Sequence, residues 1–197
     1  CVFLQGSAGD MSCNKPKEAD DYQKFGALLG RQVVTIAEGI QTKAPAKPSI
    51  QCIDEDFVFD TRIDFQNKMI QGLFKNAFFP ELANASMDLL TGNKYSAHLT
   101  TAMLDGELAL VGGSGEFFCN HSIRLKERSR APKTLFLGYC NGHNMYFPTI
   151  EAAAEGGYGG DATVSWVEIG AGERMMNKAL ENIYRFMGAY KMPGLTK

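Results

Sequence analysis

The dipeptide Asp105-Gly106 constrains this chain most, because it separates two stretches of β character and tolerates few backbone conformations. Residues 95–104 alternate in part and carry the β-branched Thr100 and Thr101, and residues 107–112 form a short apolar run. Asp-Gly between such stretches is a strong signal for a tight hairpin turn, so the spacing predicts a β-hairpin over residues 95–112. Its second strand runs into Gly112-Gly113-Ser114-Gly115-Glu116-Phe117-Phe118. There the sequence predicts a glycine turn and then a helix through Lys126, with Ser114 as its cap and Glu116 in its first turn. Orphan amides and the helix dipole favour a carboxylate at that place. They also keep it ionised, which a metal ligand must be, although on this motif alone Glu116 reads as a capping glutamate. On such a helix His121, five residues on, would lie about 140° around from Glu116, so the two are not paired as ligands.

A second apolar run, Thr134 to Tyr139, enters like a buried strand and breaks into the polar, aromatic loop Cys140-Asn141-Gly142-His143-Asn144-Met145-Tyr146-Phe147-Pro148-Thr149. Loops at strand ends are where rigid scaffolds present chemistry. Tyr146 and Tyr158 stand twelve residues apart, in this loop and just beyond it. A phenol there can donate to an oxyanion or, once ionised, bind a metal. Equally, both rings can simply pack and hydrogen-bond the backbone.

Around these stretches, residues 1–5 read as a strand. The loop after it, residues 5–14, offers Asp10 and Asn14 either to a site or to local Asx bonds. Asp20 or Asp21 caps an amphipathic helix bearing Tyr22, Phe25, Leu29, Val33, Ile36 and Ile40, whose expected role is packing. Residues 41–49, with Pro45 and Pro48, form a connector. Residues 50–63 read as two short strands around a solvated acidic turn of Asp54, Glu55 and Asp56. Residues 64–90 read as helical pieces broken at Gly72 and Pro80, with Phe74, Phe78 and Phe79 as core. A short helix is expected from Ile150 to Glu155. A clear stripe of Met175, Met176, Ala179, Leu180, Ile183, Phe186 and Met187 marks a final helix that stops at Gly188. The pattern as a whole is α/β, with mixed β-sheet layers flanked by helices in one domain over residues 1–197.

Composition narrows the function classes. The chain has 197 residues and a net charge of −2, with no basic footprint of a nucleic-acid binder. No apolar run is long enough to span a bilayer. The five cysteines are widely spaced, with no C-x-x-C pair, so neither a structural zinc site of that type nor a disulfide scaffold is expected; most should be free and partly buried. The sequons at Asn84 and Asn120 are chance-level patterns. An opening of Cys1-Val2-Phe3-Leu4-Gln5, with neither Met nor leader, leads us to expect a piece of a longer protein.

Several of these segments together resemble the neutral/alkaline non-lysosomal ceramidase family, in its bacterial branch. They are residues 105–116, residues 135–149, Glu155-Gly156-Gly157-Tyr158, Gly170-Ala171-Gly172-Glu173 and the opening residues 3–14, which are similar to the family's G-D-x-S-P-N loop. The resemblance is weak over residues 20–94. Ser114, Cys13 and Gly159 stand where the family has Pro, Pro and often Glu.

The resemblance implies the C-terminal portion of a catalytic domain in which zinc-activated water hydrolyses an N-acyl amide such as ceramide. By it, Glu116 and Tyr146 would be metal ligands and Tyr158 would be the catalytic oxyanion donor. Two further histidine ligands would lie in an N-terminal part outside this sequence, since His98, His121 and His143 do not match the family's ligand positions. Expected partners are then a small-molecule or lipid amide substrate and either the N-terminal half of the same protein or a second copy, docked on an exposed apolar face. The resemblance further suggests a secreted or periplasmic location. A non-catalytic module of the same fold, and a hydrolase of a different amide or ester, are the other readings the residues allow.

Overall fold

The computed structural model describes residues 2–45, 47–77 and 91–190. Cys1, Phe78, Phe79, Pro80 and the Asn84 sequon lie outside the described residues. The chain divides into two compact units, one of residues 1–10 and 49–197 and the other of residues 11–48.

The smaller unit holds helix α1 (Tyr22–Glu38), capped as expected by Asp21, whose side chain accepts from the Lys24 amide at 2.8 Å. None of its residues is buried, and Leu29, Val33, Val34 and Ile36 are exposed. The sequence led us to expect a packing helix. A single helix has no second element within its own unit against which to bury an apolar stripe.

The larger unit is built on a four-stranded sheet in the order β1-β2-β3-β5: β1 (Ile50–Asp60), β2 (Lys94–Leu104), β3 (Leu108–Gly113) and β5 (Lys133–Leu137). The first two pairings are antiparallel and β3–β5 is parallel, so this is a mixed sheet. The Asp-Gly hairpin forms where expected. Asp105 and Gly106 take φ of 54° and 69°, the two positive values that a type I′ turn requires.

Other segments differ from the reading. Residues 50–60 are one continuous strand, because their alternation matches a full-length pairing with β2. Ile53, Glu55, Phe57 and Phe59 turn inward. The acidic cluster is therefore split between two faces. Glu55 accepts from Asn182 Nδ2 at 2.6 Å and pairs with Lys178, while Asp54 and Asp56 meet Thr100 and His98 on the other face. No strand forms at residues 2–5, and Val2, Phe3 and Leu4 are exposed; only Gln5 is tied in, through its carbonyl to the Gly138 amide. Among the described cysteines all four are free, but Cys13 and Cys52 are exposed rather than partly buried.

Helix α2 (Lys68–Ala77) runs through Gly72 and buries Phe74 against Phe65 and Trp166. Helices α3 (Cys119–Arg128), α4 (Ile150–Glu155) and α5 (Ala171–Phe186) complete the unit. The core lies between one face of the sheet, with Tyr95, Leu99, Met103 and Val111, and the stripe Met175, Ala179 and Ile183 of α5. That helix packs on β2 and against α3.

His121 of α3 is buried at this helix–helix contact, close to the backbone at Phe147 and Pro148. Burial holds its pKa below the ordinary value. Its ring lies where the side chain of residue 172 would begin: a Cβ on Gly172 would stand 2.5 Å from His121 Cε1 and Nε2. Gly172→Ala should therefore lower stability by about 1–3 kcal/mol, through forced movement of a packed ring. Urea unfolding of the two proteins checks this, with a lower midpoint at an unchanged slope as the expected outcome.

Candidate functional site

A second, two-stranded sheet carries the candidate residues. It pairs β4 (Gly115–Phe117) with β6 (Asn144–Phe147) in parallel. Glu116 thus lies in a strand and not in the first turn of a helix. Ser114 is not a helix cap either; its hydroxyl accepts from the His98 amide at 2.8 Å. The tertiary pairing overrides the local helix signal because it buries Phe117 and Phe147 completely, stacked at 4.4 Å with their rings 4° from parallel. The helix begins only at Cys119, whose amide donates to Asp10 Oδ1 at 2.7 Å. Asp10 therefore acts across the fold, and neither as a local turn residue nor as part of the site.

Two consequences follow for β4. Side chains alternate along a strand. With Phe117 and Phe147 facing the core, Glu116 and Tyr146 face the other way, and they are Cα partners in the register. A bulge makes this so. Gly115 pairs with Asn144 and Glu116 with Tyr146, so that Met145 is passed over. Bulges commonly re-aim a side chain in this manner. Gly115 is required by close approach, since a Cβ there would stand 2.6 Å from the Phe147 ring.

Around Glu116 three phenols gather. Tyr146, half-buried, is the register partner of Glu116 and lies beside Tyr158. The Tyr146 and Tyr158 rings meet edge to face at 5.5 Å and 71°. Tyr158 is 77% exposed. The structure therefore brings all three sequence-selected residues together. Gly159, which follows, has φ of 83°, and a Cβ there would meet the Phe118 ring at 3.0 Å, so only glycine fits this backbone.

The third phenol, Tyr139, carries no role in the sequence reading. It lies near enough to Glu116 for the carboxylate to act on its titration, and its ring stacks on His143 at 5.8 Å and 11°. Its φ is 56°, a left-handed conformation that costs a bulky residue about 1–2 kcal/mol. Position just past the end of β5 was the only signal available. Nothing in the sequence marks a tyrosine as left-handed.

Loss of water around them, followed by the neighbouring Glu116 carboxylate, pushes the Tyr139 phenol up to about 12. Tyr146 is pushed above the usual phenol value by desolvation first, then by the neighbouring Tyr158 and Glu116. The three histidines stand apart from the carboxylate. His98 pairs with Asp56 at 2.8 Å, His121 is buried under α5, and His143 touches Tyr139 but not Glu116.

A zinc ion is the group that the resemblance implies, and the donors here fit it in part. Glu116 and Tyr146 present two adjacent oxygen ligands on one face. A catalytic zinc takes three protein ligands, commonly including imidazole. Among the described residues there is no cluster of three or more His, Cys, Asp or Glu able to hold a metal. A separate pocket of about 120 Å³ between α3 and α5 is lined in part by His121 and Glu173 and contains none of the three phenols.

Comparison with solved structures gives the fold. Neutral ceramidase from Pseudomonas aeruginosa matches at a TM-score of 0.63 and 15% identity, over 100% of this chain and 39% of that one. This chain has a neutral-ceramidase-like fold. A ceramidase complexed with C2 aligns over 53% of this chain and 17% of that one, at 15% identity and a TM-score of 0.42, too low to show a fold. The ceramidase-like chain thus spans well under half the length of either structure. No family model and no curated protein matches the sequence.

The alkaline titration of the phenols tests the geometry of this site. Tyr139 keeps its proton above the unfolded value of 10, so its contribution to stability is full below pH 10 and is lost as pH rises toward 12. Glu116→Gln removes the carboxylate charge and should bring the late-titrating phenols back toward ordinary values. Ultraviolet difference titration of the two proteins reads this directly; superimposable curves would mean that Glu116 does not hold these hydroxyls.

Proposed function

We propose that this chain supplies the oxygen-donor side of a zinc-dependent amide-hydrolase site of ceramidase type. Two imidazole ligands would come from polypeptide outside this sequence. The observation that carries the proposal is the in-register pairing of Glu116 with Tyr146, with Tyr158 in contact. A stretch of strand, a glycine turn and a loop converge there on one face. The ceramidase-like fold supports a hydrolase, and the resemblance of the loop sequences supports an N-acyl amide of lipid type as substrate.

Each residue then has a distinct task. Glu116 would supply a carboxylate ligand. Tyr146 has to give up its proton to bind a cation. Burial and the nearby carboxylate oppose this in the metal-free chain, and a bound cation reverses that balance. Zinc, when bound, acts as a Lewis acid that activates water and polarises the amide carbonyl. Tyr158 lies on the exposed side, where its hydroxyl would donate to the oxygen on which negative charge develops.

Two measurements test this reading. In the full-length protein Tyr158→Phe should lower kcat by about 10²- to 10³-fold with little change in KM, because the lost donor serves mainly the transition state. Steady-state hydrolysis of ceramide and of soluble N-acyl amines provides the readout and separates a lipid substrate from another amide. Zinc analysis of the 197-residue chain alone should find well under one ion per chain. An unchanged kcat would remove Tyr158 from the mechanism, and stoichiometric zinc would show that the ligand set is complete without further imidazoles.

A further inference from the structure

The pocket of about 120 Å³ between α3 and α5 lies apart from Glu116 and its phenols, and its walls follow from helical spacing. His121, Arg124, Leu125 and Arg128 recur at steps of three and four on α3 and so share one face. Glu173, Met176 and Asn177 do the same on α5. Two contacts fix how these faces meet. His121 abuts the start of α5, where a Cβ on Gly172 would stand 2.5 Å from its ring. Arg128 Nη1 donates to Asn177 Oδ1 at 2.7 Å. Glu173 and His121 therefore mark one end of the pocket and Arg128 the other, about 10 Å along α3 from His121.

The two ends differ in charge, and neither is satisfied. His121 is 2% exposed, yet its Nε2 has no hydrogen-bond partner. Glu173 Oε1 accepts from the Ile150 amide at 2.8 Å, but its Oε2, also buried, has no partner. The two orphaned atoms do not bond each other. At the far end Arg128 bonds the neutral Asn177 and, among the described residues, forms no ion pair. Arg124, between the ends, is spent on Glu151 of α4 at 3.0 Å. What remains is an unpaired carboxylate oxygen at one end and an unpaired guanidinium at the other, with Leu125 and Met176 as apolar wall between.

Buried polar atoms are nearly always bonded, so two orphans on one cavity point to something that enters it. Their chemistry selects the occupant. A carboxylate oxygen accepts, and a neutral imidazole has one nitrogen that accepts, so this end calls for a donor. A guanidinium presents parallel N–H groups that match a carboxylate. A simple anion would meet Glu173, and a metal ion would meet two guanidiniums.

We propose that this pocket binds a small zwitterion, an amino carboxylate, with its ammonium between Glu173 and His121 and its carboxylate on Arg128. The inference is independent of the zinc reading, since none of the three phenols lines the pocket.

Isothermal titration of the full-length protein with glycine, β-alanine and γ-aminobutyrate tests it, with acetate and methylammonium as controls that carry one charge each. At least one amino acid should bind about 10-fold or more tighter than either control, because both charged ends contribute. Glu173→Gln keeps an oxygen for the Ile150 amide, and Arg128→Gln alters only the exposed rim. Each should weaken amino-acid binding about 10-fold or more. Glu116→Gln should leave it unchanged. The proposal is overturned if acetate or methylammonium binds as tightly as every amino acid, or if both pocket variants bind like the wild type. Loss of binding in Glu116→Gln would move the ligand to the other site and overturn it as well. So would the absence of saturable binding, with the orphaned atoms then satisfied by ordered water only. None of these outcomes bears on zinc at Glu116.

Discussion

The short parallel pairing of β4 with β6 is the constraint on which the rest of this site depends. It is only three to four residues long, too short to hold by backbone hydrogen bonds alone. Its stability comes from the buried stack of Phe117 on Phe147. Full burial of a phenylalanine contributes roughly 1.5–3 kcal/mol, so the two rings dominate the local balance. Because side chains alternate, the same packing that seats the two phenylalanines inside sets Glu116 and Tyr146 together outside. Core packing and site geometry are two faces of one pairing.

The rest of the larger unit supports that pairing from several sides. Phe136 of β5 and Tyr95 of β2 touch the phenylalanine stack edge-on. The Tyr95 hydroxyl accepts from the Met145 amide at 3.0 Å and so holds the bulged residue in place. Gly9 donates to Phe117 O at 2.9 Å, and Asp10 meets the start of α3. From the other side His121 lies close to the backbone at Phe147 and Pro148, held in turn by α5. Strand, loop and helix thus converge on a few residues, which is how a rigid scaffold fixes side chains that lie at its surface.

What the sequence revealed depended on how local the determining physics was. The Asp-Gly turn, the Asp21 cap and the apolar stripe of the last helix are set by neighbouring residues, and all were legible. Glu116 was correctly singled out but placed in the wrong element, because its strand exists only through a partner thirty residues away. Residues 50–60 were split into two strands because the acidic run looked like a turn, whereas pairing along the whole of β2 decides the matter. The association of Tyr146 with Tyr158 was visible as spacing in a motif. Tyr139 was not, since its left-handed backbone and its reach to Glu116 arise from contacts with residues 5, 113 and 115.

The bulge at Met145 bears on how this loop can vary. A strand has two faces and no intermediate, so inserting one residue between Gly142 and Met145 with the register otherwise held would set a thioether in place of the phenol opposite the carboxylate. Individual residues of the segment can be swapped within the limits of size and polarity. An added residue that no further bulge absorbs turns the site inside out, which makes lengthening a stricter limit here than chemistry.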